Sequence, residues 1–182
     1  MKNMMIEIYE IAEKLIYDMR EPVGYIPVGL AAAVLVWILL LAGCRDRKSR
    51  GKKYMVTAVF CGYLVILAMQ TFFSREPGSR TGIDLALFST WGRTAQAHAY
   101  VVENVILFIP FGILFPSVFP YFRTAVRCVG CGFLASVLIE TAQLVTSRGH
   151  CQVDDVVMNT LGAWIGYLVL KFFLWLRKKR KR

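Results

Sequence analysis

Apolar residues in this chain come in blocks as long as a bilayer is thick, and that feature leaves few folds open. A helix needs about 20 such residues to cross the hydrocarbon core. Gly24 to Cys44, Tyr54 to Phe73, Tyr100 to Phe119 and Asp155 to Leu176 reach that length, and Cys128 to Thr146 reaches it despite Glu140 and Gln143. Hydrophobic residues make up 57% of the chain, above the roughly 45–50% of a soluble domain, and the excess lies in these blocks. The expected fold class is an all-α membrane protein, a bundle of about five transmembrane helices.

Orientation follows from where Lys and Arg gather. The link RDRKSRGKK, Arg123 with Arg127, and the segment KFFLWLRKKRKR together hold 15 basic residues and one acid, Asp46. The rest of the chain holds 7 basic and 11 acidic residues. An odd number of spans puts the three basic regions on one side. The N-terminus is therefore expected outside and the C-terminus in the cytoplasm. The net charge of +10 needs no nucleic-acid partner, because a basic tail after an apolar helix meets anionic lipid.

Two motifs mislead. LAGC, ending at Cys44, looks like a lipoprotein cleavage site, but residues 1 to 21 carry three basic and five acidic groups, the reverse of a signal peptide. Cys128 and Cys131 have a redox spacing, yet they fall at the expected cytoplasmic mouth of span four, where thiols stay reduced.

Residues 1–21 form an expected amphipathic N-terminal segment, with Met4, Ile8, Ile11, Leu15 and Met19 as a helical stripe lying along the outer surface. Residues 22–176 form the membrane domain, and 177–182 a basic cytoplasmic tail. The link from Ser74 to His98 is the least regular. It begins turn-rich, and IDLALFSTWG is apolar enough to dip into the interface or tuck between spans. In span three, Pro110 frees the carbonyl of Ile106. Gly162 and Gly166 make a small-xxx-small pair suited to close helix packing.

Against this background the polar residues between 136 and 159 stand out. Ser136, Glu140 and Gln143 share one face of span four, as Asp155, Asn159, Gly162 and Gly166 share one face of span five. Glu140 lies about 9 Å below the outer end at 1.5 Å per residue. Asn104 enters at matching depth from span three. Ionisable groups at such depth are functional candidates, and a bundle holds them only where they face each other or a wet pocket. Asn104, Glu140, Gln143, Arg148, Asp154, Asp155 and Asn159 are thus the candidate ligand-binding residues, with Glu140 and Asp155 catalytic if the protein is an enzyme. Simpler roles compete. Amides can serve as interhelical glue worth about 0.6 kcal/mol each, one of the aspartates can cap a helix, and Arg148 can be an interfacial anchor or a counter-ion to Glu140 or Asp155. His98, His150 and Cys151 lie near the same surface, but their spacing matches no strong metal-ligand pattern. No metal and no cofactor are expected.

ENVILFIPFG (103–112), SVLIETAQ (136–143) and RGHCQVDDVVMNTLGAWIG (148–166) together resemble the VanZ-like family over about residues 75–170. Its motifs fall on Asn104, Phe108, Pro110, Gly112, Glu140, Gln143, Arg148, Asp155, Asn159 and Gly162. Two departures are visible: Gln152 stands where the family often has another Asp, and DLALF (84–88) where it favours Asn-Leu-x-Pro-Phe. The resemblance implies a multi-pass protein of the bacterial plasma membrane linked to low-level teicoplanin resistance. The expected partners are membrane lipids and a lipid-linked cell-wall precursor or lipoglycopeptide, whose head group an outer-leaflet pocket would bind. An intramembrane enzyme acting on an envelope lipid is the alternative, and a helix-packing hub the third.

Overall fold

Helices account for nearly all of the computed structural model, which describes residues 2–43, 47–78, 82–88 and 94–180. Five helical segments among them are long and apolar enough to cross a membrane: Met5–Ala42, Arg50–Phe73, Ala95–Val118, Ala125–Val145 and Val153–Lys179. The protein is an all-α membrane bundle.

The first segment is built from α1 (Lys2–Asp18), α2 (Arg20–Gly24) and α3 (Ile26–Ala42). Met19 and Tyr25 separate them, yet the bonds Val23 N to Met19 O and Gly29 N to Tyr25 O carry the helical ladder across both breaks. Pro22 and Pro27 do not stop it, because each lies in the first turn of its helix, where a missing N–H costs little. The amphipathic segment therefore runs almost directly into span one. Ile11, Leu15 and Asp18 form the sheltered face of α1, which leans on α5.

α4 (Arg47–Ala68) continues into a π-helical turn at Met69–Phe73; α5 (Ala95–Val118), α6 (Ala125–Val145) and α7 (Val153–Lys179) follow. The helices overrun the apolar blocks. Basic residues 47–53 belong to α4, and Arg177, Lys178 and Lys179 to α7. Lys and Arg are good helix formers, and their long side chains can reach headgroups while the backbone stays helical. Cys44 and residues 45–46 of the basic link lie outside the described residues.

α5 and α7 form the most extensive helix pair, and glycine makes it so. A Cβ on Gly162 would fall 2.2 Å from the Val105 carbonyl oxygen, one on Gly166 2.0 Å from that of Ile109, and one on Gly112 2.0 Å from that of Ala163. Backbone thus lies directly on backbone. Gly62 lets α4 approach α3 in the same way, since its Cβ would come 2.5 Å from the Gly29 oxygen. Phe60, Tyr63, Phe108, Phe111 and Ala163 fill the centre where α4, α5 and α7 meet.

Pro110 and Pro116 both lie inside α5. Tyr63 donates its hydroxyl to the Leu107 carbonyl at 3.0 Å, within the turn before Pro110. Pro116 cannot donate to Gly112, and the buried Cys128 thiol points at that oxygen at 3.8 Å. Cys128 therefore serves the kinked helix, and it is a free thiol. Beyond Pro116, Arg123 Nε donates to the Pro116 carbonyl, and Tyr167 Oη to that of Arg123.

Replacing Gly162 by Leu would force α5 and α7 apart at a cost of about 1–3 kcal/mol or more. Gly130, around which a Cβ would meet nothing within 4 Å, is the control. In detergent, Gly162→Leu is expected to melt several degrees lower and Gly130→Ala to melt with the parent. Matching melting curves for all three would contradict the close contact.

Candidate functional site

Three chain segments meet where α4 and α6 end and α7 begins. The π turn closes with Ser74 N bonded to Met69 O. Such turns occur mostly inside α-helices and often at functional sites. It presents its own carbonyls to α6: Gln143 Nε2 donates to Thr71 O at 2.7 Å, a buried bond. α6 stops in a Schellman motif, with Ser147 N bonded to Leu144 O and Arg148 N to Gln143 O. Ser147 takes the left-handed conformation this needs, φ 54°, a place more often held by glycine. The turn throws Arg148 back over the π segment. Its Nη1 donates to the carbonyls of Phe72 at 3.0 Å and Arg75 at 2.9 Å, and its guanidinium lies 4.6 Å from the Phe72 ring centroid.

The long link reaches the same place. Ile83–Asp84 (β1) pairs in parallel with Cys151–Gln152 (β2), preceded by Cys151 N to Gly82 O at 3.0 Å. The Asp84 carboxylate accepts from Ala86 N, and Phe88 N donates to Asp154 Oδ1 at 2.6 Å. The link is thus fastened across the start of α7. Ile83, Leu85, Leu87 and Phe88 stay exposed, in keeping with a segment that meets the interface. Residues 79–81 and 89–93 of the link lie outside the described residues.

Beneath this cover the polar residues of α5, α6 and α7 converge. Glu140 is 3% exposed, and its Oε2 accepts from Gln152 N at 3.0 Å. Asn104 Nδ2 donates to Asp155 Oδ1 at 2.6 Å, joining α5 to α7. Glu140 and Asp155 are near enough for their charges to act on each other. One turn deeper, Asn159 Nδ2 donates to Ser136 Oγ at 2.9 Å. The amide oxygens of Gln143 and Asn159 are buried without a donor, on residues 2% and 3% exposed.

The expected residues separate into groups. Asn104, Glu140, Asp155 and Asn159 form the centre. Gln143 is adjacent, tied to α4. Arg148 holds backbone carbonyls at the rim, and Asp154 holds the link; Gln152, the residue before α7, makes no side-chain cap bond. His98 lies elsewhere, 4.0 Å from Glu7 on α1. No group of three or more His, Cys, Asp or Glu that could hold a metal occurs among the described residues.

Arg75 is the residue that sequence reasoning passed over. Its charge acts on both Glu140 and Asp155. A Cβ on Gly149 would fall 2.6 Å from its Nη1 and 3.0 Å from Gln143 Oε1, so Gly149 makes the space that the guanidinium occupies. A signal existed, since Arg75 is one of the few basic residues at the acidic end of the bundle.

Cys151 reports on this electrostatic setting from outside the spans. Burial first, then the charges of Glu140 and Asp155, push its thiol up from its ordinary value. A raised thiol pKa lowers the thiolate fraction at a given pH, so alkylation slows and its pH profile moves upward. With a membrane-impermeant maleimide, Cys151 is expected to react slowly near neutral pH, and Glu140→Gln to shift its profile to lower pH. An unshifted profile would mean that Glu140 carries no charge felt at Cys151.

A family model described as VanZ/LLP1 matches residues 59–174. No curated protein and no solved structure matches the chain. The matched segment contains α5, α6 and α7 nearly whole and every residue of the central cluster; the chain belongs to the VanZ/LLP1 family.

Proposed function

We propose that this multi-pass protein sits in a bacterial plasma membrane with its carboxylate end outward. There the polar cluster binds the head group of a lipid-linked cell-wall precursor or a lipoglycopeptide, and so contributes to teicoplanin-type resistance. The observation that carries the reading is an excess of acceptors. Glu140, Asp155 and the donorless amide oxygens of Gln143 and Asn159 gather at one depth, whereas buried polar groups in native proteins are nearly all paired. A head group rich in hydroxyls and amines supplies what they lack. Arg75 and Arg148 at the rim add positive charge for an anionic part of the same ligand. The family membership supports the link to glycopeptides.

The coupled pair Glu140 and Asp155 also favours a second reading, an intramembrane enzyme that modifies an envelope lipid with one carboxyl as acid and the other as base.

Loss of a hydrogen bond to a charged group costs about 1.5–3 kcal/mol, or roughly tenfold to a hundredfold in affinity. Deleting the gene is therefore expected to sensitise cells to teicoplanin-like drugs more than to vancomycin. A Gly130→Ala copy should restore resistance and a Glu140→Gln copy should not. Equal sensitivity in deleted and complemented strains would remove the binding reading. Lipid profiles of the same strains test the enzyme: a species lost with both the deletion and Glu140→Gln supports it, and unchanged profiles oppose it.

A further inference from the structure

A cleft of about 250 Å³ lies between α4 and α6, away from the polar cluster's interior. Leu64, Ala68 and Phe72 line one wall and Leu138 and Ala142 the other, with Thr71 at the top. Leu138 is exposed on the bundle's flank, so the cleft opens sideways, toward lipid. From Leu64 to Phe72 it runs about 12 Å at 1.5 Å per residue, most of the depth of one leaflet of a core about 30 Å thick. Its walls offer almost nothing to hydrogen-bond, and what surrounds it in a membrane is hydrocarbon.

The upper end is different. Phe72, which lines the cleft, also carries the guanidinium of Arg148 on its ring. Both printed Arg148 side-chain bonds leave from Nη1, so Nε and Nη2 have no bond among the described residues. Thr71, the other residue at the top, holds Gln143 through its carbonyl. A dry slot for a chain thus ends at a fixed cation whose remaining donors are arranged for a two-pronged bond to an anionic oxygen pair. Charge and polarity change along the cleft in the same order as along a phospholipid.

We propose that the α4–α6 cleft seats one acyl chain of an anionic phospholipid, with Arg148 binding its phosphate. The inference rests on the head-group reading above in one respect: a head group extending beyond the phosphate would reach Gln143 and Glu140. The cleft makes the ligand a lipid whose tail is recognised as well as its head.

The full chain in phosphatidylcholine nanodiscs, doped with phosphatidylglycerol bearing a diazirine on one acyl chain, tests this. After irradiation, peptide mass spectrometry is expected to find label in residues 64–72 and 138–142 severalfold above the exposed faces of α3 and α7. A phosphatidylcholine probe should show no such excess. Arg148→Gln should abolish the preference for the anionic probe, and Ala142→Trp or Ala68→Trp, which fill the cleft from opposite walls, should lower labelling there. Label spread evenly over the lipid-facing helices, equal labelling by both probes, or cross-links between two copies of the chain at this cleft would overturn the proposal. A cleft left unlabelled while Glu140→Gln still abolishes resistance would sink this inference and leave the head-group reading standing. A labelled cleft with Glu140→Gln silent in cells would do the reverse.

Discussion

Contact between the backbones of α5 and α7 is the constraint on which the rest depends. Where carbonyl oxygens of one helix lie against Cα atoms of the other, the axes cannot drift, and short polar side chains can span the gap. Asn104 is short, and its bond to Asp155 requires that approach. Gly162 and Gly166 therefore do more than pack two helices in lipid, where apolar burial gives little drive for association. They set the distance at which an amide and a carboxyl meet. α6 then closes the third side through Ser136 and Asn159.

Much of this was legible in the chain. Block length gave the five spans, since a bilayer fixes how many apolar residues a helix needs. The helical period placed Ser136, Glu140 and Gln143 on one face, and they are buried together. Gly162 and Gly166 could be read as a contact surface because no other residue permits so close an approach. Elsewhere the reading depended on information that periodicity does not carry. The partner of Arg148 is the backbone of residues 72 and 75, and the partner of Asp154 is the N–H of Phe88; neither donor nor acceptor has a side-chain signature. Cys128 looked like half of a redox motif because its bond to the Gly112 carbonyl depends on Pro116 in another helix. Arg75 was hidden by its flexible stem, whose direction is set by the space at Gly149.

The site joins two kinds of order. Its lower part is rigid, held by buried side chains on helices that cannot move apart. Its cover is a link held by a two-residue ladder and a few bonds from backbone to carboxylates. Asp154 belongs to the cover and Asp155 to the floor, so neighbouring residues of one helix serve opposite sides of the cluster. That division explains why two acids stand side by side at the start of α7 although the helix dipole needs neither: one fastens the link and the other meets Asn104.

The π turn at Met69–Phe73 carries a final consequence. Its wider winding accommodates one more residue than an ordinary helical turn would, and so sets which carbonyls face α6. Shortening the turn by one would rotate everything beyond it by about 100°, carrying the Thr71 and Phe72 oxygens away from Gln143 and Arg148. A side-chain exchange within the turn leaves those oxygens where they are. The segment is thus tolerant of spelling and intolerant of length, and in this family a gap falling there would mark a differently wired rim.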